Sequence, residues 1–130
     1  TADIRPIYQQ TRILLMPSHY ESWGRTATEA MINGIPVIAC PTPGLKENLS
    51  YAGLFVPARP DVGVYHPDDE KFYLPYDVKP IVNYIRALDN EEYYQEVSKK
   101  CVKRASELEP GKELEKLHNF ILSQAQKRGQ

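Results

Sequence analysis

The chain alternates short apolar runs with stretches of helical spacing. Two runs stand out, RILLMP at 12–17 and PVIAC at 36–40, and a weaker one at 54–56 is closed by Pro57. Neither of the first two shows the polar alternation of a half-exposed strand, so each predicts a strand buried on both faces. The pattern therefore predicts three strands in the first half of the chain.

Helical patterns fill the spaces between these runs. DIRPIYQQT precedes the first strand, and RTATEAMING lies between the first two with Ala27, Ala30 and Met31 at helical spacing. Asn33-Gly34 supplies a left-handed helix stop, and GLKENLS has room for about two helical turns before the third strand. Strand and helix in alternation predict parallel strands with right-handed crossovers.

The second half of the chain predicts a loop and then helices. Residues 58–76 are rich in proline and tyrosine without a sustained period, which is typical of a long loop. From 77 to 130 the pattern is helical, with apolar residues spaced to face a core. The packing positions predicted there are Tyr93, Tyr94, Val97, Cys101 and Ala105, then Leu114, Leu117, Phe120 and Ile121 after a Pro110-Gly111 break.

Together these patterns predict one α/β domain, a three-layer Rossmann-like parallel sheet with helices on both faces and a helical C-terminal tail. Its core would be residues 1–57. Composition is that of an ordinary globular chain, with 42% hydrophobic and 25% charged residues, and the net charge of -1 offers no field that would attract nucleic acid. The chain begins at Thr1 and enters a helical pattern almost at once, so we expect a piece of a longer protein.

Cysteine usage and hydropathy favour a cytoplasmic location. Cys40 and Cys101 lack metal-binding or redox spacing and are expected to be reduced, packed thiols. No apolar run approaches the roughly 18 residues that span a bilayer, and no secretory leader is evident.

Candidate chemistry is concentrated where the first strand turns into the next helix. SHYESWG follows that strand, and ligands of open parallel sheets bind at the carboxyl ends of strands. We expect the next helix to begin between Ser22 and Arg25, with Ser22 available as its N-cap and Gly24 allowing close backbone approach to a bound group. Helix amides at this position are suited to a phosphate. Glu29, inside the helix, and Glu21, in the loop, could then accept hydrogen bonds from two sugars.

A second strand-to-helix turn, PTPGLKEN, would form the other wall of the same crevice, with Gly44 at the helix start. Several side chains near the two turns carry alternative interpretations. Trp23, Arg25, His19 and Glu47 could line the site or be ordinary core, surface or helix-start residues. Glu29 alone would be an ordinary surface charge, whereas Glu29 together with Glu21, Ser22 and Gly24 favours ligand binding.

The order P-S-x-x-E-S-x-G-x-x-x-x-E-A-M-x-x-G-x-P-V-I-A, from Pro17 to Ala39, resembles the C-terminal nucleotide-sugar-binding domain of GT-B fold, retaining glycosyltransferases of the group 1, family 4 type. The E-x7-E motif of that family falls on Glu21 and Glu29. Its second glycine-rich turn falls on 43–47, where Pro43 replaces the first of two usual glycines, and its G-x-L-V-P segment falls on 53–57.

The resemblance implies that Glu21, as the catalytic contact, touches the donor sugar and that Glu29 touches the ribose. Backbone amides near 22–26 would meet the diphosphate or the donor sugar. The donor-binding residues it implies are Glu29, Ser22, Trp23, Gly24, Arg25, Thr26, Gly44 and Glu47.

The implied reaction transfers a sugar from a UDP- or GDP-sugar with retention of configuration and needs neither cofactor nor metal. In agreement, Asp68-Asp69-Glu70 is not the Asp-x-Asp of metal-dependent transferases. The acceptor, a sugar, lipid or glycan, would bind an N-terminal domain outside this chain, and the longer enzyme could associate peripherally with a membrane. This piece alone would then be inactive.

Two other functions remain open at this stage. One is a nucleotide-sugar epimerase of the same fold, and the other is a non-catalytic α/β interaction domain whose glutamates are surface charges. His66 and His118 have no assigned role, and 68–71 is interpreted as a solvated charge run.

Overall fold

A computed structural model describes residues 3–58, 77–108, 119–127 and 129 of the chain. The helices are α1 (Arg5–Gln10), α2 (Arg25–Ile32), α3 (Pro43–Leu49), α4 (Lys79–Ala87) and α5 (Glu91–Glu107), and the strands are β1 (Leu14–Met16), β2 (Val37–Ala39) and β3 (Leu54–Phe55). A 3₁₀ turn, Ser50–Ala52, leads into β3, and residues 119–127 are helical.

The three strands form one parallel sheet in the order β1-β2-β3, flanked by helices. This confirms the predicted α/β fold. β2 is buried throughout, as its continuous apolar run predicts. The same prediction is wrong for β1, where Leu15 is 46% exposed. Among the described strands β1 pairs with β2 alone, so it lies at an edge of the sheet and one of its side chains is left uncovered.

Helical spacing correctly identifies the buried faces of α2 and α5. Ala27, Ala30 and Met31 are buried on α2, and the α5 positions Val97, Cys101 and Ala105 are buried against the same core. The predicted stop after α2 is also confirmed, because Asn33 is the C-cap and Gly34 has a φ of 68°. The Ser98 hydroxyl donates to the Gly34 carbonyl at 2.7 Å, which joins α5 to this turn.

Tyrosine hydroxyls attach α4 and α5 to the strand region. Tyr84 donates to the carbonyl of Phe55 at 2.8 Å, and Tyr94 donates to the carbonyl of Arg12 at 2.9 Å. The Tyr94 ring also stacks on the Arg12 guanidinium, 4.1 Å from the ring centre. Tyr93 and Tyr94 are partly buried against the core, so their predicted packing role is confirmed.

The predicted packing of the C-terminal stripe is wrong for Phe120 and Ile121, which are 60% and 56% exposed. An apolar stripe is buried only where another element covers it, and within the described part of the chain no element covers these two. Leu114, Leu117, His118, His66 and the predicted loop from 59 to 76, with its charge run at 68–71, lie outside the described residues.

None of the helices in the described ranges is long and apolar enough to cross a bilayer.

The buried thiol of Cys101 makes stability depend on pH. Burial raises its pKa from 9.0 to about 11. Below pH 9 the thiol is protonated in both states; as pH rises from 9 towards 11 it ionises first in the unfolded chain, so the free energy of unfolding falls. Between pH 9 and pH 11 we expect the free energy of unfolding, measured in urea, to fall by on the order of 2 kcal/mol more in the wild type than in Cys101→Ala.

Val97→Ala, a truncation on the same face of α5, is the matched control. It should lower stability at every pH but keep the pH dependence of the wild type, because it leaves the thiol buried. Equal pH slopes for the wild type and Cys101→Ala would contradict this account.

Candidate functional site

The turn after β1 enters α2 through a left-handed glycine. Gly24 has a φ of 81° and is the N-cap, without a side-chain cap, so α2 begins at Arg25, within the expected range of 22–25, and Ser22, the residue available as an N-cap, does not cap it. Ser22 lies two residues too early and is exposed, because the chain turns at Gly24, a conformation that glycine adopts at little cost. The Gly24 carbonyl accepts from the amides of Ala27 and Thr28, and these are the first hydrogen bonds of the helix. The amides of Arg25 and Thr26 precede them and have no acceptor within the helix.

The two strand-to-helix turns lie in direct contact, whereas the sequence predicted a crevice between them, and the groove described below is not lined by Gly44 or Glu47. A Cβ added to Gly44 would overlap the carbonyl oxygens of Ser22 and Glu21, so the backbone of the second turn is in direct contact with the backbone of the first. A Cβ on Gly24 would come within 2.5 Å of the Leu45 side chain. Gly44 therefore faces the other turn, where it sets the distance between the two walls.

A buried asparagine that the sequence analysis missed holds the first turn to α3. The Asn48 side-chain amide donates to the carbonyls of Trp23 at 2.9 Å and Gly24 at 3.0 Å, and the Thr28 hydroxyl donates to its oxygen at 3.1 Å. Asn48 is fully buried. Its own carbonyl accepts from Arg104 of α5 at 2.9 Å, so the start of α2, α3 and α5 are joined through one residue.

Glu29 accepts a hydrogen bond from a tyrosine that the sequence analysis did not single out. The Tyr8 hydroxyl lies 2.6 Å from Glu29 Oε2, although the two residues are 21 positions apart. Burial, together with this bond and the negative charge of Glu29, raises the pKa of Tyr8 to about 12. The phenol is therefore a protonated donor at neutral pH, and no spacing in the sequence pairs it with Glu29.

Three of the predicted site residues line one groove of about 250 Å³ beside the start of α2. They are Trp23, Arg25 and Glu29. Arg25 and Glu29 are four positions apart and share a helix face, which puts a cation and a carboxylate in the same groove. The remaining lining residues are Thr28, Ile32 and Leu108.

The other predicted residues are not among those that line this groove. Glu21 is half-buried on the turn, Thr26 is exposed in the first turn of α2, and Glu47 is exposed on α3 with its carbonyl accepting from Arg104 at 2.8 Å. His19 is half-buried in the loop after β1. The structure thus brings Glu29 together with Trp23 and Arg25, and it places Glu21 on the neighbouring loop.

A larger open groove, about 640 Å³, lies at the end of β3. The described residues that line it include none of the predicted site residues, and tyrosine is the sole ionisable type among them: Phe55, Val56, Pro57, Pro80, Asn83, Tyr84, Ala87 and Tyr93. Because charged groups and free helix amides are needed to bind an anionic ligand, the smaller groove is the better candidate site. Across the described ranges, no three His, Cys, Asp or Glu side chains gather as a metal ion would require.

Comparison with known proteins points to the same segment. Residues 1–61 match the family model of glycosyl transferases group 1. The match spans slightly less than half of the chain and includes both glutamates, both turns and all three strands. It supports the assignment to group 1 glycosyltransferases made from the motif. No curated protein and no solved structure matches the chain significantly.

Asn48→Asp tests whether the buried amide holds the turn. The change keeps the shape but removes the N–H donors and sets a carboxylate oxygen against the carbonyls of Trp23 and Gly24. We expect the free energy of unfolding, measured in urea, to fall by about 2–4 kcal/mol. Asn83→Asp, the same change on the exposed side of α4, should stay within about 0.5 kcal/mol of wild type. Similar losses in the two variants would count against the proposed role.

Gly44→Ala tests the contact between the two turns. The new methyl group would meet backbone carbonyls, which cannot rotate away, so one turn must shift. We expect a loss of about 1–3 kcal/mol of unfolding free energy, seen as a lower thermal midpoint. At Gly129 the added carbon would meet only carbonyl oxygens at 3.8 Å, so Gly129→Ala should leave the midpoint nearly unchanged. A Gly44→Ala midpoint at the wild-type value would contradict the contact.

Proposed function

We propose that this chain is the donor-binding part of a retaining glycosyltransferase of the GT-B, family 4 type, which binds a nucleotide-sugar such as a UDP- or GDP-sugar. The observation that carries the proposal is that the match to group 1 glycosyltransferases, residues 1–61, falls on the segment whose two turns lie packed together at the carboxyl ends of neighbouring parallel strands. Open parallel sheets bind ligands at this edge.

The charges of the smaller groove support a nucleotide-sugar as the ligand. The Arg25 guanidinium lies in the groove, and the amides of Arg25 and Thr26 lie at the positive end of the same helix. Together they offer several hydrogen-bond donors that suit a diphosphate. Glu29, an acceptor, suits the hydroxyls of a ribose. Trp23 contributes an apolar ring on which a sugar or base can lie.

In this scheme Glu21 contacts the donor sugar from the loop side and is the catalytic contact. Ser22 is exposed and presents the backbone of the first turn to the donor, whereas Gly24, which is buried against Leu45, shapes that turn. Gly44 and Glu47 belong to the second turn, and the close approach of Gly44 to the carbonyls of Glu21 and Ser22 holds that turn against the first.

The reaction breaks the bond between the anomeric carbon of the donor and the nucleotide phosphate, and the acceptor attacks from the same face. Helix amides stabilise the charge that develops on the leaving phosphate, so the proposal needs no metal. The acceptor, a sugar, lipid or glycan, binds an N-terminal domain outside this chain, and this chain alone does not turn over substrate. Cys40 and Cys101 are buried and neither is in a disulfide, which fits a cytoplasmic enzyme, peripheral to a membrane if the acceptor is a lipid.

One observation favours a rival, a non-catalytic α/β domain in which the glutamates are structural. Glu29 already accepts a hydrogen bond from Tyr8 within the protein, at 2.6 Å. A carboxylate has two oxygens, however, so this bond leaves Glu29 Oε1 able to accept from a ligand. Ligand binding is therefore the property that separates the two functions.

Titration calorimetry of the full-length protein with UDP- and GDP-sugars tests the proposal. Glu29→Ala and Glu21→Gln should each weaken binding of the favoured donor by about tenfold or more, since each removes a charge-assisted hydrogen bond. Glu92→Gln, which removes an exposed carboxylate on α5, is the matched control and should bind as wild type. Product analysis then separates sugar transfer from epimerisation.

Binding that survives Glu29→Ala undiminished would refute the site assignment. Absence of binding by any nucleotide-sugar would favour the non-catalytic domain.

A further inference from the structure

We propose that Tyr8 is a positioning residue for donor binding: its hydroxyl fixes the carboxylate of Glu29 through Oε2 and so directs Oε1 at the ligand. This inference rests on the proposed function of Glu29. It assigns a role to α1, a helix that contributes no residue to either of the two grooves described above.

The first support is geometric. The distance of 2.6 Å between the Tyr8 hydroxyl and Glu29 Oε2 is that of a charge-assisted O–H···O⁻ bond, which is stronger than one between neutral groups. Tyr8 is partly buried, whereas every other residue of α1 is exposed. The one side chain that α1 directs inward is therefore the one that contacts the motif glutamate.

The second support is the protonation state of the Tyr8 hydroxyl, the hydrogen-bond donor. Because the pKa of the phenol is raised to about 12, Tyr8 keeps its proton well above the physiological range and remains able to donate to Glu29. The glutamate is then the acceptor in this bond. An ionised carboxylate accepts at both oxygens, and Oε1 retains its capacity for a ligand hydroxyl.

The consequence concerns binding entropy. A glutamate side chain has three rotatable bonds, and a ligand that must immobilise it loses affinity. Tyr8 restricts Glu29 before the ligand arrives, at the edge of the groove that also holds Trp23 and Arg25. Tyr8 thus raises donor affinity without touching the donor.

A double-mutant cycle on the full-length protein tests this role. Tyr8→Phe keeps the ring and its packing and removes only the hydroxyl; it should weaken binding of the UDP- or GDP-sugar by about three- to tenfold, as expected for one lost hydrogen bond that preorganises a charged group. In the Glu29→Ala background, Tyr8→Phe should have no further effect, because the partner is gone. A hydroxyl with a merely structural role would reduce affinity equally in both backgrounds.

Tyr94→Phe is the matched control. It removes a tyrosine hydroxyl that also bonds within the protein, to the Arg12 carbonyl at 2.9 Å, but that does not touch Glu29. It should leave donor affinity at the wild-type value, and urea unfolding of each variant shows that the binding measurements are made on folded protein.

The inference about Tyr8 is overturned if Tyr8→Phe binds the donor as wild type does, or if its effect persists in the Glu29→Ala background. Either result, with Glu29→Ala still weakening binding, leaves the proposed function intact. If Glu29→Ala itself has no effect on binding, the proposed site fails and the role of Tyr8 fails with it.

Discussion

The hydrogen bonds of the Asn48 side chain are the interaction on which the site depends. A buried amide that bonds the carbonyls of Trp23 and Gly24 fixes where α2 begins, and the start of α2 fixes both the free amides and the helix face that carries Arg25 and Glu29. The backbone contact at Gly44 also depends on these hydrogen bonds, since the second turn can pack against the first only if the first is held in place. Burying an amide is favourable only with its partners present, so the turn and the amide stabilise each other.

The helices of the second half attach to this core through apolar packing and also through side chains that bond main-chain carbonyls. Tyr84, Tyr94 and Arg104 donate to the carbonyls of Phe55, Arg12 and Asn48, in that order. These carbonyls lie at or next to a strand end or at the end of α3, where the regular ladder or helix leaves an acceptor unused. The long tyrosine and arginine side chains thereby satisfy main-chain acceptors and dock two helices at the same time.

Much of the fold was predictable from sequence because its signals are local. The apolar runs gave the strands, the spacing of Ala27, Ala30 and Met31 gave the buried face of α2, and Asn33-Gly34 gave its end. The N-cap of α2 was not predictable within the expected range of 22–25, because a serine in a turn and a left-handed glycine are both common helix caps and tertiary packing against Leu45 selects between them. The exposure of Leu15, Phe120 and Ile121 depends on what covers each element, which spacing alone does not encode. The bonds of Asn48 and Tyr8 join residues 20 or more positions apart, so no local pattern signals them.

The double attachment of Asn48 has a consequence for which substitutions the chain can accept. Its side chain bonds the start of α2, while its main-chain carbonyl accepts from Arg104 of α5. A replacement at Thr28, Asn48 or Arg104 therefore disturbs the surroundings of the other two, and single changes at any of them are costly even though none of the three carries the proposed chemistry. We expect variation at these positions to occur jointly, so that a library randomised at all three together would recover functional sequences that stepwise mutation does not reach.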